Sequence, residues 1–237
     1  MNTDKKQALS VHLKAIRRML IVSVASVAVL FVLFFYLLCG PLVDFVLAPV
    51  RARGIEVITT SVSEALMMQF KVCLIAAVIA GMPVIIWQVW VFVAPALYPQ
   101  EKRLFAALFF VALLLFVGGV VFCYCLVFPM AIDLFWSAAD GVASTLWSVK
   151  EYFNFVLSFV LPFGLMFELP VVVYMLARRG LVTYQKLAHS RKYVILVIAI
   201  IAAILTPPDA VSQCMLAIPM ILLYEVAAQL ARLVKAK

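Results

Sequence analysis

Six long apolar segments run through this chain and constrain its fold more than any other feature. They are residues 19–39, 70–94, 104–128, 152–177, 193–206 and 214–231. About 20 apolar residues in a helix cross the hydrocarbon core of a bilayer. Of the 237 residues, 68% are apolar and 13% are charged, which excludes a water-soluble globular domain. The sequence predicts an all-α polytopic membrane protein with six transmembrane helices in a single domain, residues 1–237.

The distribution of positive charge indicates how these helices are oriented. Because the number of spans is even, both termini lie on the same side of the membrane. The two tails and the loops of that side carry fifteen of the nineteen Lys and Arg residues. Cytoplasmic segments are enriched in Lys and Arg, so we expect both termini to be cytoplasmic. The same rule accounts for the net charge of +8 without a nucleic-acid partner.

Two helices are expected to begin before their apolar segments. Ser61 with Glu64, and Ser148 with Glu151, have the spacing of a capping box, in which the serine and the acid satisfy free amide groups at a helix start. The second helix would then begin near Val62 and extend for about 50 Å, against a hydrocarbon core of about 30 Å. We expect it to project beyond the bilayer or to tilt.

Prolines and a short segment mark the remaining irregularities. Pro83 in the second span, and Pro162 and Pro170 in the fourth, are expected to bend their helices. The fifth apolar segment corresponds to only about 21 Å of helix, so the last hairpin is predicted to be short. Either the bilayer thins there, or polar residues reach water, or the hairpin is buried among other helices. Asp209 is placed to cap the sixth helix.

Two acidic residues lie within predicted spans, where an ionisable group costs several kcal/mol and therefore suggests a function. Glu168 lies about 15 Å from the cytoplasmic end of the fourth span. We expect it to be functional, with a structural hydrogen bond as the alternative. Glu225 is nearer the end of its helix, and a structural role is favoured for it.

Acidic residues are rare on the side predicted to be cytoplasmic. Only Asp4 and Glu101 are expected there, and Glu101 follows Pro99 at a predicted helix start. A carboxylate at that position can cap the helix. It can also receive a guanidinium group in bidentate geometry, which is the sharper hypothesis.

The sequence offers little for catalysis or for a bound cofactor. It contains no glycine-rich phosphate loop, no cluster of ligands with metal spacing, and no buried histidine for a hydrolytic dyad. Its five cysteines are odd in number, lie in or beside apolar segments, and are interpreted as packing residues. We therefore expect no enzyme activity, no metal and no cofactor.

Taken in order, several stretches resemble the TatC family, the multispanning receptor subunits of the twin-arginine protein translocase. The resemblance covers nearly the whole chain and rests on TTSVSEALMMQFK, PVIIWQVWVFVAPALYPQEKR, GVVFCYCLVFP, FGLMFELPV and LTPPDAVSQCMLAIPM. It implies a glove-like, concave scaffold in the bacterial inner membrane. It also implies a receptor for paired-arginine signal peptides of folded proteins, with TatA and TatB as single-span partners and export driven by the proton-motive force.

The resemblance also implies roles for individual residues. Glu101 matches the acid that receives the arginines of the signal, Phe92 the aromatic residue beside it, and Arg17 an arginine of the N-terminal motif. Glu168 matches a buried acid that contacts the transmembrane helix of a partner. The positions linked to assembly and transport are Pro49, Asp209 and Gln213.

One departure from the family pattern affects signal binding. The family's N-terminal motif is HLxELRxR, whereas this chain has HLKAIRRM, with Ala15 in place of the acid and Met19 in place of the second arginine. We therefore expect signal recognition to depend on Glu101 alone, or to recruit Asp4. Smaller departures are Val62 and Leu66, where the family usually has Pro and Phe.

Two other classes of function compete with a receptor. In a small proton-coupled secondary transporter, Glu168 would carry the proton, but such folds usually contain internal repeats and none is found here. A membrane scaffold without its own ligand is the second alternative. A concave face with a buried acid needs a partner to cover it, so we expect the chain to work as a homo-oligomer within a complex.

Overall fold

The structure, a computed structural model, describes residues 3–93, 102–139, 146–206 and 209–233. In chain order, its elements are α1 (Thr3–Leu37), α2 (Cys39–Arg51), β1 (Val57–Ile58), α3 (Val62–Val93), α4 (Lys102–Phe122), a π-helical segment (Cys123–Val127), α5 (Phe128–Ala139), β2 (Trp147–Ser148), α6 (Val149–Met166), α7 (Leu169–Arg178), α8 (Tyr184–Leu205) and α9 (Ala210–Leu233).

Six helical stretches of the described chain are long and apolar enough to cross a membrane, which confirms the predicted number of spans. The third combines α4, the π-helical segment and α5, and the fourth combines α6 and α7. Helix α2 follows the first span and was not predicted. Many large apolar side chains remain exposed, as expected for helices in contact with lipid.

The fifth span is longer than its apolar segment. Helix α8 has 22 residues, and Thr183 caps its start by accepting a hydrogen bond from the Lys186 amide at 3.4 Å. At about 33 Å it is long enough to cross a bilayer. The apolar part beginning at Tyr193 is short, as predicted, but the helix that carries it is not. The first turns of α8 consist largely of polar residues, so hydropathy alone does not indicate where the helix begins.

The third span continues beyond its predicted end at residue 128. Pro129, the second residue of α5, has no amide proton to donate to the carbonyl of Cys125. The chain widens before it, and the Phe128 amide donates to the carbonyl of Cys123, five residues earlier. This π-helical turn absorbs the proline, so the helix extends to Ala139.

Both early helix starts are confirmed, but the capping contacts differ from those predicted. Helix α3 begins at Val62, and the Glu64 carboxylate accepts hydrogen bonds from the amide (2.8 Å) and the hydroxyl (2.6 Å) of Thr60. The expected capping box centred on Ser61, one residue later. Helix α6 begins at Val149, yet Ser148 makes no side-chain hydrogen bond as its cap. The predicted capping box is therefore wrong there.

A short parallel strand pair holds the two segments that precede these helices. Val57 pairs with Trp147 and Ile58 with Ser148, and the Trp147 amide donates to the Glu56 carbonyl at 3.2 Å. Each strand is followed by a long helix, α3 or α6. The strand pairing, and not a side-chain cap by Ser148, therefore positions the start of α6.

The chain forms two compact units. The first comprises Met1–Val46 and Leu66–Leu113. In it, α1 packs against α3 through aromatic rings, with the centroids of Phe35 and Phe70 at 4.7 Å. Gly81 allows close approach, because a Cβ there would lie 3.3 Å from Cγ2 of Val27.

The second unit comprises Leu47–Ala65 and Leu114–Lys237. Its fully buried side chains include five phenylalanines, namely Phe116, Phe128, Phe153, Phe159 and Phe163. Helix α7 packs against α9 through a cluster of small residues and valine. Its buried members are Val173, Ala177, Ala227 and Ala231. Small side chains let transmembrane helices approach closely.

Candidate functional site

The fourth span is broken next to its acidic residue. Helix α6 ends at Met166 and α7 begins at Leu169, so Glu168 lies at the junction. Pro170 explains the break, because it has no amide proton for the carbonyl of Met166, four residues earlier. The sequence predicts bends at Pro162 and Pro170, and the structure interrupts the helix at Phe167 and Glu168, just before Pro170.

The backbone of Glu168 is satisfied at the break, but its side chain is not. Its amide donates to the Leu165 carbonyl at 3.1 Å, and its carbonyl accepts from the amides of Val171 and Val172, both at 3.1 Å. The carboxyl oxygen Oε1 is buried and has no hydrogen-bond partner in the part of the chain that the structure describes. A buried polar atom without a partner costs about 1 to 3 kcal/mol, so this oxygen is a candidate for a contact with another molecule.

Glu225, the other intramembrane acid, is already paired. Its Oε1 lies 2.7 Å from Nε of Arg191, and its Oε2 accepts a hydrogen bond from Nη2 of Arg191 at 2.9 Å. This pair joins α8 to α9, and a hydrogen bond from the Tyr224 hydroxyl to the Leu187 carbonyl at 2.8 Å adds to it. The prediction of a structural role for Glu225 agrees with this contact.

Asp209 and Gln213 lie in the last hairpin. Oδ1 of Asp209 accepts a hydrogen bond from the Ser212 amide at 2.6 Å, which is the predicted cap of α9. Nε2 of Gln213 donates to the Ala199 carbonyl at 3.1 Å and links α9 to α8. Thr206 directly follows α8, and its hydroxyl donates to the Ala202 carbonyl at 2.8 Å.

We predict that Asp209→Ala lowers the free energy of unfolding by about 1 kcal/mol, because it removes a helix cap. Thermal unfolding of the purified protein in detergent measures the loss. Asp209→Asn keeps an oxygen acceptor and is the matched control, expected to retain most of the stability. If the alanine variant unfolds at the temperature of the unsubstituted protein, the hydrogen bond to Ser212 contributes nothing.

Pro49 lies in α2 beside an ion pair that sequence analysis missed. Arg53 donates to both carboxyl oxygens of Asp133, from Nε at 2.6 Å and from Nη2 at 3.1 Å, and its Nη1 donates to the Pro49 carbonyl at 2.9 Å. The hydrogen bond to Asp133 raises the pKa of the Arg53 guanidinium. Gly54, at φ +69°, supplies the left-handed turn that follows. Arg53 thus ties the end of α2 to α5.

The residues predicted to bind a signal peptide are described only in part. Glu101 lies outside the described residues, immediately before α4. The backbone of Phe92 belongs to α3, and its side chain is likewise outside the description. Arg17 is exposed on α1. Whether these three side chains lie together therefore stays a prediction.

The two units divide the predicted site residues. Arg17 and Phe92 belong to the first unit, whereas Pro49, Glu168, Asp209 and Gln213 belong to the second. Within the described residues, no group of three or more His, Cys, Asp or Glu side chains could hold a metal ion. All five cysteines have free thiols. The polar groups of the described site residues lie at helix breaks and helix ends, where they can form hydrogen bonds.

Known proteins resemble this chain over almost its full length. A family model described as Sec-independent protein translocase protein (TatC) matches residues 11–219. TatC of Carboxydothermus hydrogenoformans is 38% identical over 235 residues, covering 99% of this chain and 96% of that protein. TatC of Haemophilus influenzae is 35% identical over 239 residues, with coverage of 100% and 93%.

Solved structures show the same similarity. A crystal structure of a twin arginine translocase receptor, TatC, superposes with a TM-score of 0.88 at 36% identity. The superposition covers 94% of this chain and 98% of that one. A second crystal structure of such a receptor, in the detergent DDM, superposes with a TM-score of 0.86.

Proposed function

The chain belongs to the TatC family of Sec-independent protein translocase proteins, and we propose that it binds the paired-arginine signal peptides of folded proteins. As a TatC protein it is a multi-pass membrane component of a protein translocase and not an enzyme. The proposal concerns what it recognises, at which residues, and with which partners.

Signal recognition is assigned to Glu101, which receives the guanidinium groups of the signal. Phe92 of α3 and Arg17 of α1 are assigned as further contacts to the same peptide. The support is the charge distribution of the sequence, in which Glu101 and Asp4 are the acids of the strongly positive side. On that surface a carboxylate attracts arginines and can bind them with two parallel hydrogen bonds. This assignment requires both termini to lie in the cytoplasm, with the protein in the bacterial inner membrane.

Partner binding is assigned to Glu168. The observation that carries it is Oε1, which lies at the break of the fourth span and has no partner among the described residues. A polar group on the transmembrane helix of a TatA-type or TatB-type subunit would satisfy this oxygen. Such an interhelical hydrogen bond contributes about 1 to 2 kcal/mol in model peptides. Pro49, Asp209 and Gln213 support assembly and transport through hydrogen bonds at the end of α2, at the start of α9 and between α9 and α8.

Photocrosslinking of the purified protein in lipid nanodiscs tests this proposal. A photoreactive residue at position 92 is expected to capture a peptide with paired arginines and not its paired-lysine counterpart, since lysine lacks the planar fork of arginine. In proteoliposomes, the same protein alone is expected to move no protons or small solutes. Proton-coupled solute uptake without peptide capture would favour the transporter in which Glu168 carries the proton.

A further inference from the structure

Spans three and four meet at two glycines that have no room for a side chain. A Cβ on Gly119 of α4 would lie 2.8 Å from the Phe163 carbonyl oxygen and 2.9 Å from Cγ and Cδ2 of Phe167. A Cβ on Gly164 of α6 would lie 2.6 Å from Cε2 and 3.0 Å from Cζ of Phe116. Real Cβ contacts essentially never come below 3.0 Å.

The two contacts are reciprocal. Phe116 and Gly119 lie three residues apart on α4, and Gly164 and Phe167 lie three residues apart across the end of α6. Residues at this spacing share one face of a helix. Each glycine therefore receives the phenylalanine ring of the other span, and the fully buried Phe116 fills the space above Gly164.

This arrangement lies at the break that holds Glu168. The Phe163 carbonyl, which closely approaches Gly119, accepts the Phe167 amide at 3.1 Å in the last turn before the break. Phe167 directly precedes Glu168, and its ring also lies 5.6 Å from that of Phe122. A shift of α4 away from this turn would move Phe167 and change the direction of the neighbouring carboxylate.

We propose that Gly119 and Gly164 are positioning residues, which direct the Glu168 carboxylate toward the transmembrane helix of the partner. The inference rests on the proposed partner-binding role of Glu168. It adds that the reciprocal glycine and phenylalanine contacts hold the carboxylate in the orientation that the partner needs. Gly119 acts through its contact with Phe167 and Gly164 through its contact with Phe116, and neither glycine touches the partner.

Gly119→Ala is the first test, and its neighbour provides a matched control. A Cβ on Gly118 would meet nothing within 4 Å, so Gly118→Ala adds the same methyl group to the same helix without a clash. A photocrosslinker at the exposed position 172 reports capture of a TatB-type transmembrane peptide. We expect Gly119→Ala to reduce capture about tenfold, or about 1.4 kcal/mol, and Gly118→Ala to leave it unchanged.

A compensating pair separates positioning from general damage. The three atoms nearest to a Cβ on Gly164 all belong to the Phe116 ring, so Gly164→Ala should also reduce capture. Adding Phe116→Leu removes the ring and should restore capture. The same leucine should not restore the Gly119→Ala variant, whose clash includes a backbone carbonyl. Signal capture from position 92 is expected to stay unchanged in every variant and checks that the protein is folded.

Glu168→Ala, measured in parallel, separates this inference from its premise. If Glu168→Ala lowers partner capture and Gly119→Ala behaves like Gly118→Ala, the positioning role is wrong while the role of Glu168 stands. If Glu168→Ala leaves capture unchanged, both are wrong. Failure of Phe116→Leu to restore the Gly164→Ala variant would also overturn the positioning role.

Discussion

Replacing Glu101 by glutamine is expected to weaken binding of a paired-arginine signal peptide by about ten- to a hundredfold. The substitution keeps the size of the side chain and removes its charge, and a hydrogen bond to a charged group contributes about 1.5 to 3 kcal/mol. In the family motif a second acid would also bind the arginines of the signal, but this chain has Ala15 at that position. Fluorescence anisotropy with a labelled peptide and the protein in nanodiscs measures the dissociation constant.

Two variants complete this measurement. Asp4→Asn tests whether the N-terminal acid also contributes, and we expect a smaller loss than for Glu101→Gln. Ala15→Glu restores the acid of the family motif and should tighten binding. An unchanged dissociation constant for Glu101→Gln would contradict the assignment of the signal site.

Replacing Glu168 by alanine is expected to weaken association with a TatB-type subunit by about five- to thirtyfold, while signal binding stays within experimental error. The estimate takes about 1 to 2 kcal/mol for one interhelical hydrogen bond. Oε1 has no partner in the described part of the chain, so its loss disturbs no hydrogen bond seen there. Co-purification of the two subunits, titrated in detergent, measures the association.

Glu225→Gln is the matched control for this prediction. Glu225 is an acid in a neighbouring span, but it forms an ion pair with Arg191 of the same molecule. We expect this variant to lose stability and to keep its affinity for the partner. If both variants reduce association equally, loss of folding accounts for the effect and the special role of Glu168 is wrong.

The fold was largely predictable because the bilayer imposes a simple length rule. Apolar segments of sufficient length identify the spans, and all six are found. Their ends were less predictable, since polar turns belong to the same helices. The start of α8 at Tyr184 shows this, as does the continuation of the third span through Pro129. In both cases the hydrogen bonds of the backbone, and not hydropathy, decide where the helix ends.

For the intramembrane part of the site, the sequence predicted which residues matter but not how they are arranged. The cost of a buried charge singled out Glu168, and Pro170 indicated a bent helix. Only the structure shows that the helix is interrupted at Glu168 itself and that Oε1 has no hydrogen-bond partner among the described residues. The helix-capping role predicted for Asp209, by contrast, is confirmed by the hydrogen bond from the Ser212 amide.

Contacts between distant parts of the sequence were beyond the reach of pattern analysis. Arg53 and Asp133 are 80 residues apart and form a doubly hydrogen-bonded pair. No local spacing predicts which of several acids an arginine will meet. The sequence contains only a weak indication of the contacts of Gly119 and Gly164. In each of two successive spans, a phenylalanine lies three residues from a glycine. Such a pattern becomes meaningful only when the two helix faces are known to touch.

The most direct test of a peptide-binding function compares two peptides on the same protein. Nanodiscs containing only this chain are titrated with a signal peptide carrying paired arginines and with the same peptide carrying paired lysines. The proposed receptor binds the arginine form at least about tenfold more tightly, because only arginine presents a fork that matches a carboxylate. Equal affinity for the two peptides would contradict it.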